Sequence, residues 1–156
     1  MGGREKGLQL LDGRTMVSHI IDRLKPQVGP LLINANTRLD DYQTLSLPIV
    51  SDLISGYVGP LAGLHAGLSL CPTPYLLSVP CDCPFLPLDL ASRLGQALLL
   101  SGADAAYAVT MNETQTEHHP LFCLLKQDTL ASLSDYLSQG GRKVMTWIES
   151  LHQIGR

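Results

Sequence analysis

The residues in this chain that could do chemistry are a lysine set among glycines and three polar residues spaced far apart. Lys6 stands in Met1-Gly2-Gly3-Arg4-Glu5-Lys6-Gly7. Glycines let backbone N–H groups close on anionic oxygens, and an ammonium adds a mobile positive charge, so the run suits a phosphate. Taken alone it reads as a flexible tail, because phosphate loops are usually aimed by a buried strand in front of them. Asn34, Asp52 and Asp82, with Asn36 beside the first, each follow a short apolar run. Singly each is ordinary turn chemistry. Together with the lysine loop they point to a polar site at the carboxyl ends of strands, where open α/β sheets bind ligands.

Asp82 is the sharpest of the three. It leaves the run Tyr75-Leu76-Leu77-Ser78-Val79 directly and lies between Pro80 and Pro84, which stiffen its turn. A carboxylate displayed there suits Mg2+, a hard ion that takes one or two carboxylates plus substrate phosphates. Mn2+ is the alternative. Cys81 and Cys83 flank it, but two thiols one residue apart are too few for tetrahedral zinc. Cys71, Cys123, His118 and His119 lie at no spacing that would complete such a site, and buried thiols are the better reading. His65, inside an apolar helical run, reads as a packed side chain rather than a base. His118-His119-Pro120 precedes a strand and either lines the site or forms a loop. No Gly-x-Ser-x-Gly elbow is present, so acyl chemistry has no support. Gly140-Gly141-Arg142-Lys143 reads first as a helix stop and a solvated basic turn, with a phosphate contact through Arg142 as the second reading.

The elements that must hold these residues alternate. An extended piece closed by Asp12-Gly13 leads to a helix capped by Thr15 with Val17, Ile20, Ile21 and Leu24 on its apolar face. Strands follow at 31–33 and 48–50, with a polar helix between them at 39–45. Gly59-Pro60 opens a helix whose Gly63, Ala66 and Gly67 suit close packing on a sheet. The strand 75–79 comes next, then a helix over 88–100 stopped by Gly102. Strands at 105–109 and 121–125 flank a polar loop, and helices at 128–137 and 144–151 close the chain. Strand and helix in alternation predict an α/β sheet with helices on both faces, in one domain over residues 1–156.

Composition narrows the function classes. Hydrophobic residues make up 45% of the 156 and charged residues 16%, enough apolar material for a core and too much for a disordered chain. The formal net charge of −3 gives no global attraction to nucleic acid or to an anionic membrane, so a polyanion would be held locally. No apolar run reaches the ~20 residues that cross a bilayer, and no signal peptide is read at Met1. The four cysteines form no disulfide framework, so free thiols in a cytoplasmic enzyme are expected.

Several short pieces, in order along nearly the whole chain, carry a resemblance. They are Met1-Gly2-Gly3-x-Glu5-Lys6-Gly7, Asn34-Ala35-Asn36, Ser51-Asp52, Gly59-Pro60-Leu61-Ala62-Gly63, Pro80-Cys81-Asp82-x-Pro84, His119-Pro120 and Gly141-Arg142-Lys143-Val144-Met145. With them the chain resembles the molybdenum cofactor guanylyltransferases, a branch of the sugar-nucleotide-type nucleotidyltransferases. The family signature opens with a strand and Leu-Ala-Gly-Gly-x-x-x-Arg, which would stand before residue 1. It closes with a strand and Asn-x-Asn-Thr-Pro-Glu, which would stand after residue 156. Glu5 occupies a position where Asp is usual.

The resemblance implies a three-layer α/β/α Rossmann-like nucleotidyltransferase fold with a mostly parallel sheet. It also implies transfer of GMP from GTP to molybdopterin. By similarity Lys6, Asn34, Asp52 and Asp82 contact GTP, Asp82 also binds Mg2+, and Lys6 and Asp82 carry the catalysis. Gly59, Pro60, Gly63, His119 and Arg142 are candidate contacts for the pterin or for phosphate. The implied partners are GTP and molybdopterin, with transient contacts to other proteins of the same biosynthesis, in a monomer or weak homo-oligomer. Two other readings stay open: a pterin cytidylyltransferase, and a non-catalytic nucleotide- or pterin-binding module.

Overall fold

Turn chemistry sets where the elements start and stop. In the computed structural model, residues 5–56 and 59–154 are described, the last three through their backbone alone; Gly2 and Gly3 of the lysine loop lie outside them. Strands β1 (Leu10–Leu11) and β2 (Arg14–Thr15) form a hairpin across Asp12-Gly13. Both turn residues have positive φ (50° and 76°), as a tight two-residue turn of this kind requires. Thr15 then caps α1 (Met16–Leu24), its hydroxyl accepting the Ser18 N–H at 3.4 Å. Gly59 (φ +65°) and Pro60 open α3 (Pro60–Leu70), and Gly102 (φ +66°) ends α4 (Leu90–Ser101). These positions are the ones the sequence marks.

The strands fall into separate ladders. β3 (Ile33–Asn34) and β4 (Ile49–Val50) pair in parallel, joined through the short α2 (Leu39–Gln43). β5 (Tyr75–Ser78) and β6 (Ala105–Met111) each pair antiparallel to β7 (Thr116–Lys126), which runs between them. The expected mostly parallel sheet is therefore a mixed one. The reason is local: Asn112 accepts N–H bonds from Thr114 and Gln115 and folds residues 112–115 into a turn. A connection that short can only return the chain antiparallel. β5 and β6, linked through the crossover helix α4, keep the same direction as each other.

β7 is also longer than expected. It begins at Thr116, so His118 and His119 sit in the strand rather than ahead of it. Its register against β6 shifts after Tyr107↔Cys123, resuming at Ala108↔His119. The surplus residues include Pro120, which has no N–H to give a ladder and so belongs at such a bulge.

Alternation along these strands builds the two helix layers. Leu76, Ala105, Tyr107, Cys123 and Leu125 face α3, α5 (Leu130–Ser138) and α6 (Val144–Ile154). Trp147, Leu61, Leu68 and Leu133 are buried in that cluster. Leu77, Val79, Ala106, Phe122 and Leu124 face α1 and α4 instead. A third cluster, around Val17, Ile21, Ile33 and Tyr42, ties α1 and α2 to the β3–β4 pair. A cavity of about 990 Å³ separates β3 from β5; Ile33 lines it from one side and Leu76 and Leu77 from the other.

Candidate functional site

Two of the predicted strand ends, Asn34 and Asp82, line that cavity, and Asp52 stands beside Asn34 without lining it. Asn34 is the last residue of β3, and Asp52 follows β4 by two residues. The Asn34 amide donates to Val50 O (3.1 Å) and to Asp52 Oδ1 (3.0 Å). Asn36 donates to Asp52 Oδ2 at 2.8 Å, and its own Oδ1 accepts the Asp52 N–H at 2.8 Å. Both Asp52 oxygens are thus oriented by amides, each with a lone pair left for a further donor.

Gly63 explains how Asn34 fits. A Cβ at position 63 would lie 2.5 Å from Asn34 Oδ1, so only glycine lets α3 pass this close. Pro60, Gly63, Asn34 and Asp82 all line the same cavity. Gly59 starts α3 with positive φ, its carbonyl accepts the Ala62 N–H at 3.1 Å, and the space a Cβ would take there is open.

The second half of the site joins the lysine loop to the exit of β5. Lys6 opens a single 3-10 turn (Lys6–Leu8), and its ammonium lies 3.4 Å from Asp82 Oδ2. The lysine side chain is 71% exposed, so a phosphate can reach it without prior opening. Gly7 is buried against the Asp82 loop: a Cβ there would sit 3.0 Å from Cys81 Cβ and 3.1 Å from the Tyr42 hydroxyl. A larger residue at position 7 would therefore be tight, and Cys81 and Tyr42 would have to shift by a few tenths of an ångström to admit it.

The flanking thiols are poor ligands as they stand. Burial, followed by the negative charge of Asp82, pushes Cys81 and Cys83 above the ordinary thiol range, which keeps both protonated near neutral pH. Cys83 directs its S–H toward Asp82 Oδ1 at 3.6 Å. Among the described residues no three His, Cys, Asp or Glu side chains gather into a metal-binding group. The donor set at Asp82 is one oxygen ligand with open approach, which fits Mg2+ completed by substrate phosphates and water.

The remaining candidates have structural partners. His119 Nε2 is 2.9 Å from Thr110 Oγ1, and His118 Nδ1 is 3.0 Å from the Tyr107 hydroxyl. Both stand beyond Cys123, the partner of Ser78, and so at the end of the sheet where β5 leads to Asp82. Arg142 donates to Leu137 O (3.3 Å) and Gly141 O (2.6 Å), closing the end of α5 as the helix-stop reading expects. His65 lies between α3 and α5 with Nε2 3.1 Å from Ser134 Oγ, a packed position outside the site.

Two residues at the site, Thr37 and Tyr42, carry no sequence signal strong enough to find them, whereas Glu5 stands out only as the motif position where Asp is usual. Glu5 accepts from Thr37 and from Tyr42, and Tyr42 is a nearly buried aromatic in the otherwise polar α2. That contrast of one tyrosine among Asp40, Asp41 and Gln43 is the trace it leaves in the sequence.

Likeness to known proteins runs over nearly the whole chain. Residues 1–154 match the family described as MobA-like NTP transferase domain. The chain is 49% identical to a molybdenum cofactor guanylyltransferase of Cupriavidus necator over 151 residues, 96% of this chain and 76% of that protein. It is 47% identical to the protein of the same name from Ralstonia nicotianae, over 94% of this chain and 74% of that one. Its fold is similar to the crystal structure of molybdopterin-guanine dinucleotide biosynthesis protein A from Archaeoglobus fulgidus. There the TM-score is 0.73 at 22% identity, over 96% of this chain and 73% of that one.

Proposed function

The chain belongs to the MobA-like NTP transferase family, and from that premise we propose that it transfers GMP from GTP to molybdopterin, giving the guanine dinucleotide form and pyrophosphate. The observation that carries the reading is the meeting of Lys6 with Asp82 at 3.4 Å, at the mouth of a cavity that Asn34 also lines. In the reaction, an oxygen of the pterin's terminal phosphate attacks the α-phosphorus of GTP. A new P–O bond forms, the bond to the α,β-bridging oxygen breaks, and pyrophosphate leaves with the electron pair. The attacking phosphate is already an anion, so no protein base has to remove a proton. What remains for the protein is in-line positioning and neutralisation of the triphosphate.

Lys6 supplies a positive charge that can leave Asp82 for a phosphate. Asp82 would hold Mg2+, and the ion would supply charge neutralisation at the phosphoryl oxygens. Asn34 and Asp52, fixed to each other by hydrogen bonds, contact the nucleotide as one rigid unit. His119, at the same end of the sheet, is a candidate contact for the pterin. Both β3 and β5 contribute residues to the cavity. Each of those strands pairs on one side only among the described residues, and both line the space with aliphatic side chains.

Pyrophosphate release by the chain with GTP, Mg2+ and molybdopterin tests the proposal. Turnover is expected with GTP and not with CTP. Asp82→Ala should lower it by about 100-fold or more, the scale of a lost electrostatic contact in a transition state, while the circular dichroism spectrum stays unchanged. Equal use of CTP would replace the guanine assignment with the cytidylyl one. Full activity of Asp82→Ala would remove the role given to that carboxylate.

A further inference from the structure

Lys6 is held from three directions, and only one of them involves the site itself. On its carboxyl side, Leu8 and Gln9 donate N–H bonds of 3.1 Å to Glu5 O and Lys6 O, closing the turn. Beneath it, Gly7 packs on Cys81. On its amino side, the Glu5 carboxylate is gripped by two hydroxyls from the segment that follows β3: Thr37 Oγ1 donates to one oxygen, and Tyr42 OH donates to the other at 3.3 Å. Tyr42 is 2% exposed and packs in the cluster of Ile33 and Val17, so its hydroxyl is a fixed point. The lysine side chain, by contrast, is largely exposed and meets Asp82 at 3.4 Å, so its backbone is the more firmly held part.

We propose that Tyr42 and Thr37, acting through Glu5, are positioning residues that set where the Lys6 ammonium meets the triphosphate. The proposal rests on the reading of Lys6 as a GTP contact. A lysine has a flexible four-carbon stem and gains reach from it, but its ammonium can be placed reliably only if its backbone is fixed. Glu5 provides that by bridging the lysine loop to the loop after Asn34. Two parts of the site distant in sequence, Lys6 and Asn34, are thereby held in one frame. A carboxylate is the group for this task because it accepts from two separate hydroxyls at once, and bonds to an ionised acceptor are the stronger kind.

The experiment is a double-mutant cycle read by nucleotide affinity. GTP and guanosine binding are measured by calorimetry for the unmodified chain, Tyr42→Phe, Lys6→Ala and the double variant. Tyr42→Phe keeps the ring in the core and removes only the hydroxyl. It is expected to weaken GTP binding about tenfold, the scale of one lost hydrogen bond to a charged group, and to leave guanosine binding unchanged. In the Lys6→Ala background the same change should have no further effect, since nothing remains to position. Thr37→Val, at an exposed residue outside the core, should reproduce the loss in smaller measure. Equal weakening of GTP and guanosine, the same factor in both backgrounds, or no loss in either Tyr42→Phe or Thr37→Val would overturn the proposal. If Lys6→Ala itself binds GTP normally, the reading of the lysine falls, and the positioning role falls with it.

Discussion

The β3–β4 pair and the β5–β7–β6 sheet are held together by different means. The pair is two residues per strand, and side-chain amides reinforce it: Asn34 reaches across to Val50 O, and Asn36 exchanges two hydrogen bonds with Asp52. The larger sheet depends on a long ladder along β7 and on apolar clusters covering both of its faces, with Trp147 and Ile148 fully buried in one of them. The smaller half contributes Asn34 and Asp52 and the anchors of the lysine loop. The larger half contributes Asp82 from the exit of β5. A polar network gives fixed directions to a few side chains with little core beneath them, whereas apolar burial gives stability without direction. The site lies where the two meet.

That contrast predicts opposite phenotypes for substitutions in the two halves. The largest effect belongs to the apolar side. Trp147→Ala should cost about 3–5 kcal/mol of stability, a fall in Tm on the order of 10 °C, read by thermal denaturation. Below that transition, GTP affinity should be close to normal. A Trp147 variant of normal Tm would break the division of labour. Next comes the polar network. Asp52→Asn replaces an acceptor with an NH2 group facing the amide donors, and should weaken GTP binding about tenfold with little change in Tm. Loss of stability instead of affinity would show that the pair supports the fold rather than the ligand.

The smallest effect is at the surface, away from both. Asp22 is held below the usual carboxylate range chiefly by its hydrogen bond from Arg14 (2.8 Å). Because the folded-state pKa is depressed, the pair contributes above the ordinary carboxylate value of 3.8 and is lost as pH falls through the lower folded value. Arg14→Gln should therefore lower stability by about 0.5 kcal/mol or less at neutral pH, and the difference should vanish at about pH 2. Paired thermal melts at the two pH values check this.

Much of the fold was written in local residue types. Thr15, Asp12-Gly13, Gly59-Pro60 and Gly102 act within a few residues of themselves, so their helix ends and turns could be read directly. Asn34, Asp52 and Asp82 were legible for the same reason, each following its own apolar run. What escaped depends on residues far apart in sequence. β7 lost its alternation at Pro120, so its first half read as loop and its place between β5 and β6 could not be inferred. The grip of Thr37 and Tyr42 on Glu5 spans more than thirty positions and exists only once α2 has packed.

Gly63 touches Asn34 by leaving room for it, and the two positions therefore share one inheritance. A lineage in which residue 63 gains a side chain must move the amide of residue 34 from its present place. With Asn34 intact, Gly63→Ala therefore costs the amide's bonds to Val50 O and Asp52. Among descendants of this chain the pair should drift together or stay still together, even though one member of it has no side chain to observe.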